Sequence, residues 1–397
     1  MIFFIAKVLN NYHYTSRLDN MVVKYFPILL FTILFSVYSK ASEIDNKRLD
    51  AIDKVVTKAI ENRQTPGAVV LVGHKDKIVY RKAFGYTSTA QSEPMSPETI
   101  FDLASLTKVF TATAIILLAE QGLVRINAPV STYIPEFAQN GKDKITIEQL
   151  LLHTSGLPAA NHLDDYKEGC ATALDKIYAI KVEQALGTKF VYSDVGYIVL
   201  GEVIKRVSNK RLDEFMHDSI IKPIGMKNTC FLPPESIKHM IAPTEERDTR
   251  LLQGEVHDPR AFLLGGFAGH AGLFSTGDDL TLFCKMILNY GALQSGKLLS
   301  TLGITRMLKP HDVGDNKLRG LGWDIKTEYS TCLGDFFQVG TIAHTGFTGT
   351  SLVIKPSLKV FIIILTNRVH LKGASVVDLR ASIANIVASS LNITSSL

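Results

Sequence analysis

The chain is short of several things that would have narrowed its reading. It has 397 residues but only four cysteines, Cys170, Cys230, Cys284 and Cys332. Their separations fit neither a C-x-x-C pair nor a zinc pattern, and they allow three disulfide pairings. No H-E-x-x-H, phosphate-cradling Walker loop or dinucleotide-binding glycine fingerprint occurs, so no metal and no nucleotide or other cofactor is implied. Charged residues make up 20% of the chain and no long low-complexity run appears, which confines disorder to the ends. A nucleic-acid footprint is missing too. The formal charge is +5, but residues 1–41 hold four basic side chains against Asp19, leaving about +2 for the remainder.

What is present begins with a leader. Lys24 precedes the apolar run Tyr25–Tyr38, and Ser39 and Ala41 are small enough for a signal-peptidase site, so cleavage is expected after Ala41, with Met21 a second candidate start. An uncleaved membrane anchor is the alternative reading, against which the run is short, since a span needs about 20 apolar residues. Export, periplasmic or secreted, would place the cysteines in an oxidising space. Cys284 falls on an apolar helical stripe with Leu280, Phe283, Ile287 and Leu288 and reads as a buried thiol. Asn392-Ile-Thr394 is a glycosylation sequon only in a eukaryotic source.

Periodicity sets the architecture. Residues 46–62 place Leu49, Ile52, Val56 and Ile60 on one helical face. Gly67–Gly73 and Lys77–Phe84 read as a β-hairpin, and a long apolar helix runs from about Ser105 to Gln121. Thr146-x-x-Gln149 is a capping box, and the middle of the chain is mostly helical. Strands return at Gly322–Lys326, Phe336–Thr341, Thr350–Ile354 and Val360–Thr366, followed by a helix over about Ala374–Ala388. The expected fold is of the α/β (α+β) class: an antiparallel β-sheet flanked by terminal helices, with an inserted all-α lobe. Its catalytic domain would span 42–390, with a sheet lobe from 42–110 and 320–390, a helical lobe from 111–319, and a tail at 391–397. A cleft between the lobes is where a site belongs.

Three strings carry chemistry. Ser105-Leu-Thr-Lys108 puts a hydroxyl and an amine three residues apart on one helical face, where a lysine that loses some basicity can help relay the serine proton. Tyr192-Ser-Asp194 lies 87 residues further on and offers a phenol as general base, its acidity raised by Lys108. His344-Thr-Gly346, another 152 residues on, sits between β runs, where a strand ending in a small residue lets a substrate backbone lie alongside. Each string has a plain reading alone: an N-cap serine beside a solvated lysine, a packed tyrosine beside an N-cap Asp194, a surface strand with one histidine. Their order and spacing together outline a serine nucleophile, a base and a docking strand. The glycine-rich run Gly265–Gly272 reads as a connector or as a cleft rim with His270 facing substrate, and His153 as a turn residue.

Together with Phe101–Lys108, Thr146–Pro158, Phe190–Gly201, Pro223–Met226, Gly269–Thr276 and Gly320–Trp323, these strings resemble the class C-type serine β-lactamases, the low-molecular-mass penicillin-binding D-alanyl-D-alanine peptidases and related esterases and amidases. The resemblance covers roughly residues 46–390 and implies a β-lactamase/transpeptidase-like fold. It implies Ser105 as the acylated nucleophile, Lys108 as its proton-relay partner and Tyr192 as base and then acid. It also implies an oxyanion hole from the backbone N–H groups of Ser105 and Phe347, with His344, Thr345 and Gly346 binding substrate. Two positions depart from the pattern. Asp194 stands where many members carry Asn, and His344 where β-lactamases of this type usually have Lys. A histidine with an ordinary pKa near 6.5 should hold a carboxylate less well as pH rises. The expected function is an exported serine hydrolase acting through an acyl-enzyme on cell-wall peptides, as a D-alanyl-D-alanine carboxypeptidase or muropeptide amidase. A small-ester hydrolase and a β-lactamase are the alternatives within the class, and a non-catalytic scaffold the alternative outside it. The partner would be a small molecule or a peptidoglycan peptide.

Overall fold

The computed structural model describes residues 43–338 and 340–392. The leader expected over 1–41 lies outside the described residues, as does most of the 391–397 tail. Glu43–Ile44 pairs antiparallel with Leu391–Asn392 in a small unit of its own, and Asn46–Ser390 forms the main body. No helix among the described residues is long and apolar enough to cross a membrane.

The main sheet has eight antiparallel strands drawn from both ends of the chain. In spatial order they are His311–Asp312, β3 (Leu318–Gly320), β4 (Trp323–Lys326), β5 (Ile342–Thr345), β6 (Ser351–Lys355), β7 (Val360–Thr366), β1 (Gly67–His74) and β2 (Lys77–Gly85). The central strands β1 and β7 are buried at every position, which suits their unbroken apolar sequences. Helix α1 (Ala51–Glu61) packs on β2 and on the C-terminal helix α6 (Val377–Ser390), while α5 (Gly277–Leu288) packs on β1 and β7. This is the antiparallel sheet with terminal helices that the periodicity implies.

Between β2 and β3 the chain is largely helical. Helix α2 (Thr107–Glu120) is apolar nearly all round and correspondingly buried, packing against α4 (Asp194–Ser208). Helix α3 (Ile147–Leu152) opens on the expected capping box: Thr146 Oγ1 accepts from the Gln149 backbone N–H at 3.2 Å, and Gln149 Oε1 accepts from the Thr146 N–H at 3.0 Å. The inserted block also carries a three-stranded sheet of Phe101–Asp102, Leu273–Ser275 and Cys230–Phe231, pieces too short for periodicity to reveal.

Two local expectations change. The described residues of the expected strand Phe336–Thr341 form none, and β5 begins at Ile342. Asp335 is held by α6, its N–H donating to Asn385 Oδ1 and its carboxylate accepting from Asn385 Nδ2, both at 2.7 Å, which draws the start of this segment off the sheet. The cap of α4 is Ser193, whose Oγ accepts from the Gly196 N–H at 3.2 Å, so Asp194 is left for other contacts. All four cysteines are free thiols, with Cys284 buried as its stripe implies.

Candidate active site

The approach to Ser105 is set by Asp102. Its buried carboxylate accepts from the Ala104 N–H at 2.8 Å and from the His257 N–H at 2.7 Å, and burial pushes its pKa up. Between them, Ala104 takes a left-handed φ of 46°, unusual for a residue with a Cβ and worth roughly 1–3 kcal/mol of strain. The turn delivers Ser105 in a single 3-10 turn, Ala104–Leu106, from which α2 continues. Lys108 is on the first turn of that helix and is wholly buried.

The Lys108 ammonium is the hub. Nζ donates to Ser105 Oγ at 2.9 Å and to the His270 carbonyl at 3.1 Å, and pairs with Asp194 Oδ1 at 2.8 Å. It also stands 4.9 Å from the Tyr192 ring centroid. Burial alone would lower its basicity, but Asp194 and Tyr192 outweigh burial and hold the pKa above the ordinary lysine range. This corrects the expectation of a lysine that gives up its proton readily: Asp194, which differs from the usual amide at this position, keeps it charged.

Two histidines also behave differently from expectation. His270 is 1% exposed, so it neither faces substrate nor belongs to a loose connector. Its Nε2 lies 2.9 Å from Asp258 Oδ1. Burial would raise the Asp258 pKa, but His270 and Lys108 hold it far below the usual range. Gly269 beside it has to be glycine, because a Cβ there would meet the Tyr197 carbonyl at 2.0 Å. The carboxylates of Asp194 and Asp258 approach within 4.8 Å of each other and of His270, and the Lys108 ammonium supplies the positive charge among them.

His344, in β5, is 4% exposed. Burial, then the charges of Arg319 and Lys108, drive its pKa well below 6.5, so it is neutral across the physiological range. The expected pH-sensitive grip on a carboxylate is therefore not available to it. The cation at this place is Arg319, which the sequence reading missed. It is fully buried on β3, with Nη1 3.3 Å from Asp324 Oδ1. Its Nε and Nη2 have no hydrogen-bond partner among the described residues. The available signal was only its place directly before Gly320-Leu-Gly-Trp323, in a stretch whose Asp315, Asn316 and Lys317 made another surface charge the plain reading.

The third motif is stapled to the segment before Ser105. Thr348 Oγ1 donates to the Asp102 carbonyl at 2.8 Å and Thr350 Oγ1 to the Leu103 carbonyl at 3.1 Å. Gly346 fits because a Cβ would lie 2.2 Å from Thr350 Oγ1 and 2.4 Å from the Leu103 carbonyl. Arg380 Nη2 donates to the carbonyls of Gly346 and Thr350 from the other side. Strand β4 pairs with β5 at Asp324 and Ala343, and the stretch His344–Thr345 beyond that pair borders a cleft. That cleft has a volume of about 310 Å³ and is lined by Ser105, Tyr192, Arg319, Tyr329, Thr345 and Phe347, among others. Phe347 is 62% exposed at its rim. Ser105, Tyr192 and the third motif thus share one cavity, and Lys108 and Asp194 lie behind it.

The profile of the β-lactamase family matches residues 52–385. The chain is 30% identical to the N-acetylmuramyl-L-alanine amidase of Bacillus subtilis (strain 168), covering 84% of each chain. It is 31% identical to a Salmonella agona protein provisionally named D-alanyl-D-alanine carboxypeptidase, covering 87% of this chain and 89% of that one. Among solved structures, the hydrolase EstCE1, described as having promiscuous acyltransferase activity, superposes with a TM-score of 0.71 at 22% identity over 86% of this chain and 99% of its own. A penicillin-binding protein homologue from Caulobacter crescentus gives 0.69 at 19% identity, over 88% and 99%. Those two likenesses speak for the fold. The chain belongs to the β-lactamase family, and it is a serine hydrolase.

Two predictions follow from the charges. With Asp194→Asn, burial, already the largest single influence on Lys108, loses its strongest opponent and the pKa falls. The alkaline limb of Ser105 acylation, followed from pH 6 to 11, should then move down by more than about one unit, each unit reflecting ~1.4 kcal/mol of lost pairing. An unmoved limb would show that the ammonium does not depend on the pair. His344→Gln should leave the pH dependence of kcat/KM between pH 5.5 and 8.5 unchanged, because a histidine whose folded pKa lies well below 6.5 does not titrate in that window. Loss of an inflection there in the variant would contradict the neutral imidazole.

Proposed function

We propose that the chain is an exported hydrolase that opens amide bonds in cell-wall peptides through an acyl-enzyme on Ser105. The observation that carries this reading is the 2.9 Å contact from a buried, charged Lys108 to the Oγ of Ser105, which lines the same cavity as Tyr192 and Thr345. In the proposed reaction Ser105 Oγ attacks the carbonyl carbon and its proton passes to the Tyr192 oxygen, which enters the reaction as the phenolate beside the Lys108 ammonium. The backbone N–H groups of Ser105 and Phe347 meet the charge that develops on the carbonyl oxygen. Tyr192 returns the proton to the leaving amine as the C–N bond breaks; water then attacks the ester, losing a proton to Tyr192, which passes it to Ser105 Oγ as the C–O bond breaks. Lys108 stays an ammonium throughout and fixes the serine and the phenol against each other.

The substrate class rests on the relatives, one named for cleaving N-acetylmuramyl-L-alanine and another for D-alanyl-D-alanine. It also rests on the unpartnered nitrogens of Arg319 beside Thr345, a fitting place for a peptide carboxylate. Export is supported by the leader in the sequence and by the cell-wall substrates those relatives' names describe.

Mass spectrometry of muropeptides incubated with the protein should show either release of the N-acetylmuramyl group or loss of a terminal D-alanine, and Ser105→Ala should abolish it. Turnover of simple esters without attack on either muropeptide would reassign it as an esterase, and rapid penicillin turnover as a lactamase. Arg319→Leu should raise KM for a peptide with a free carboxylate by about 10- to 100-fold, in line with ~1.5–3 kcal/mol for a charge-assisted bond. The same peptide as its methyl ester should be affected far less, and equal effects on both would remove Arg319 from carboxylate binding.

A further inference from the structure

We propose that His153 is the positioning residue for Tyr192, holding the base through its backbone, its ring nitrogen and its ring face at once. The proposal rests on the reading of Tyr192 as the group that takes the Ser105 proton.

Three contacts converge on one residue. The His153 carbonyl accepts from the Val191 N–H at 2.9 Å, and His153 Nδ1 accepts from the Ser193 N–H at 2.9 Å. Tyr192 is therefore bracketed, its two neighbours in sequence both bonded to His153. Between those bonds the imidazole stacks on the Tyr192 ring, with centroids 4.5 Å apart and an interplanar angle of 29°. His153 can make all three because it closes α3 in the left-handed conformation, φ 60° and ψ 36°, which turns its carbonyl and side chain toward the incoming segment.

The residue is itself immobilised. It is 1% exposed, and its ring contacts Tyr197 at 4.9 Å and Phe190 at 6.0 Å. Tyr197 donates its hydroxyl to the Leu151 carbonyl one residue before the end of α3. The rings form a column, Tyr197, His153, Tyr192 and then Tyr329 at 4.9 Å, running from the core to the cleft. Because Nδ1 accepts a hydrogen bond, the working form is the neutral imidazole with its proton on Nε2. A turn histidine needed only for its backbone angles would have no use for the other two contacts.

Acylation of Ser105 by a fluorophosphonate, analysed as a maximal rate kinact and an apparent affinity KI, tests the hold. His153→Asn keeps the left-handed angles and an acceptor but loses the ring, and His153→Gly keeps only the angles. The expected series is a fall in kinact of about tenfold for Asn and about 10²-fold for Gly, the scale of an ångström-sized misplacement, with KI changed less than about threefold. Equal losses in the two variants, or kinact within about threefold of wild type in both, would overturn the proposal. If the Gly variant does not unfold cooperatively, the Asn variant decides alone, and kinact within about threefold of wild type rejects the hold. Tyr192→Phe in the same assay separates the two levels. A wild-type rate there would reject the base assignment, whereas a slow Tyr192→Phe beside fast His153 variants would reject only the positioning role.

Discussion

A lysine ammonium with no access to water is unstable unless something compensates it, and the site is arranged around that requirement. Lys108 is compensated by Asp194 at 2.8 Å and by the His270 carbonyl at 3.1 Å. Removing one partner of a buried pair typically costs about 3–5 kcal/mol, so three remote stretches of chain are obliged to meet at Nζ. The first turn of α2 brings the amine, the start of α4 brings the carboxylate and the glycine-rich segment brings the carbonyl. Ser105 takes the remaining direction of the ammonium, which fixes where its oxygen lies.

The rest of the fold supplies rigidity to that meeting. The loop after β5 is far in sequence from the turn that carries Ser105, yet Thr348 and Thr350 bond directly to the carbonyls of residues 102 and 103. The close approach at Gly346 removes slack from the same junction. The strained Ala104 is held because Asp102 accepts from its N–H and, through the other carboxylate oxygen, from the N–H of the remote His257. Sheet, helix and loop thus hold the serine by hydrogen bonds to backbone atoms, which tolerate side-chain change elsewhere in the cleft.

The sequence made much of this legible. Motif order, the capping box at Thr146, the long α2 and the alternation of strands at both ends follow from local periodicity and cap chemistry, which are properties of neighbouring residues. What escaped depends on residues far apart in the chain. That His344 is neutral follows from its burial beside Arg319 and Lys108, and no local pattern announces it. The raised basicity of Lys108 depends on Asp194, 86 positions away, and Asp194 is free to serve because Ser193 caps α4 instead. Phe336–Thr341 reads as β by composition, but Asn385 on the last helix holds Asp335 just ahead of it. The expected leader and most of the expected tail lie outside the described residues.

The central claim is that Ser105 alone, among all the serines of the chain, is made reactive by this arrangement. Peptide mapping by tandem mass spectrometry after treatment of the folded protein with a fluorophosphonate tests it most directly. The account predicts a single adduct, on Ser105. An adduct on a different serine, or a folded protein that takes up none, would contradict it.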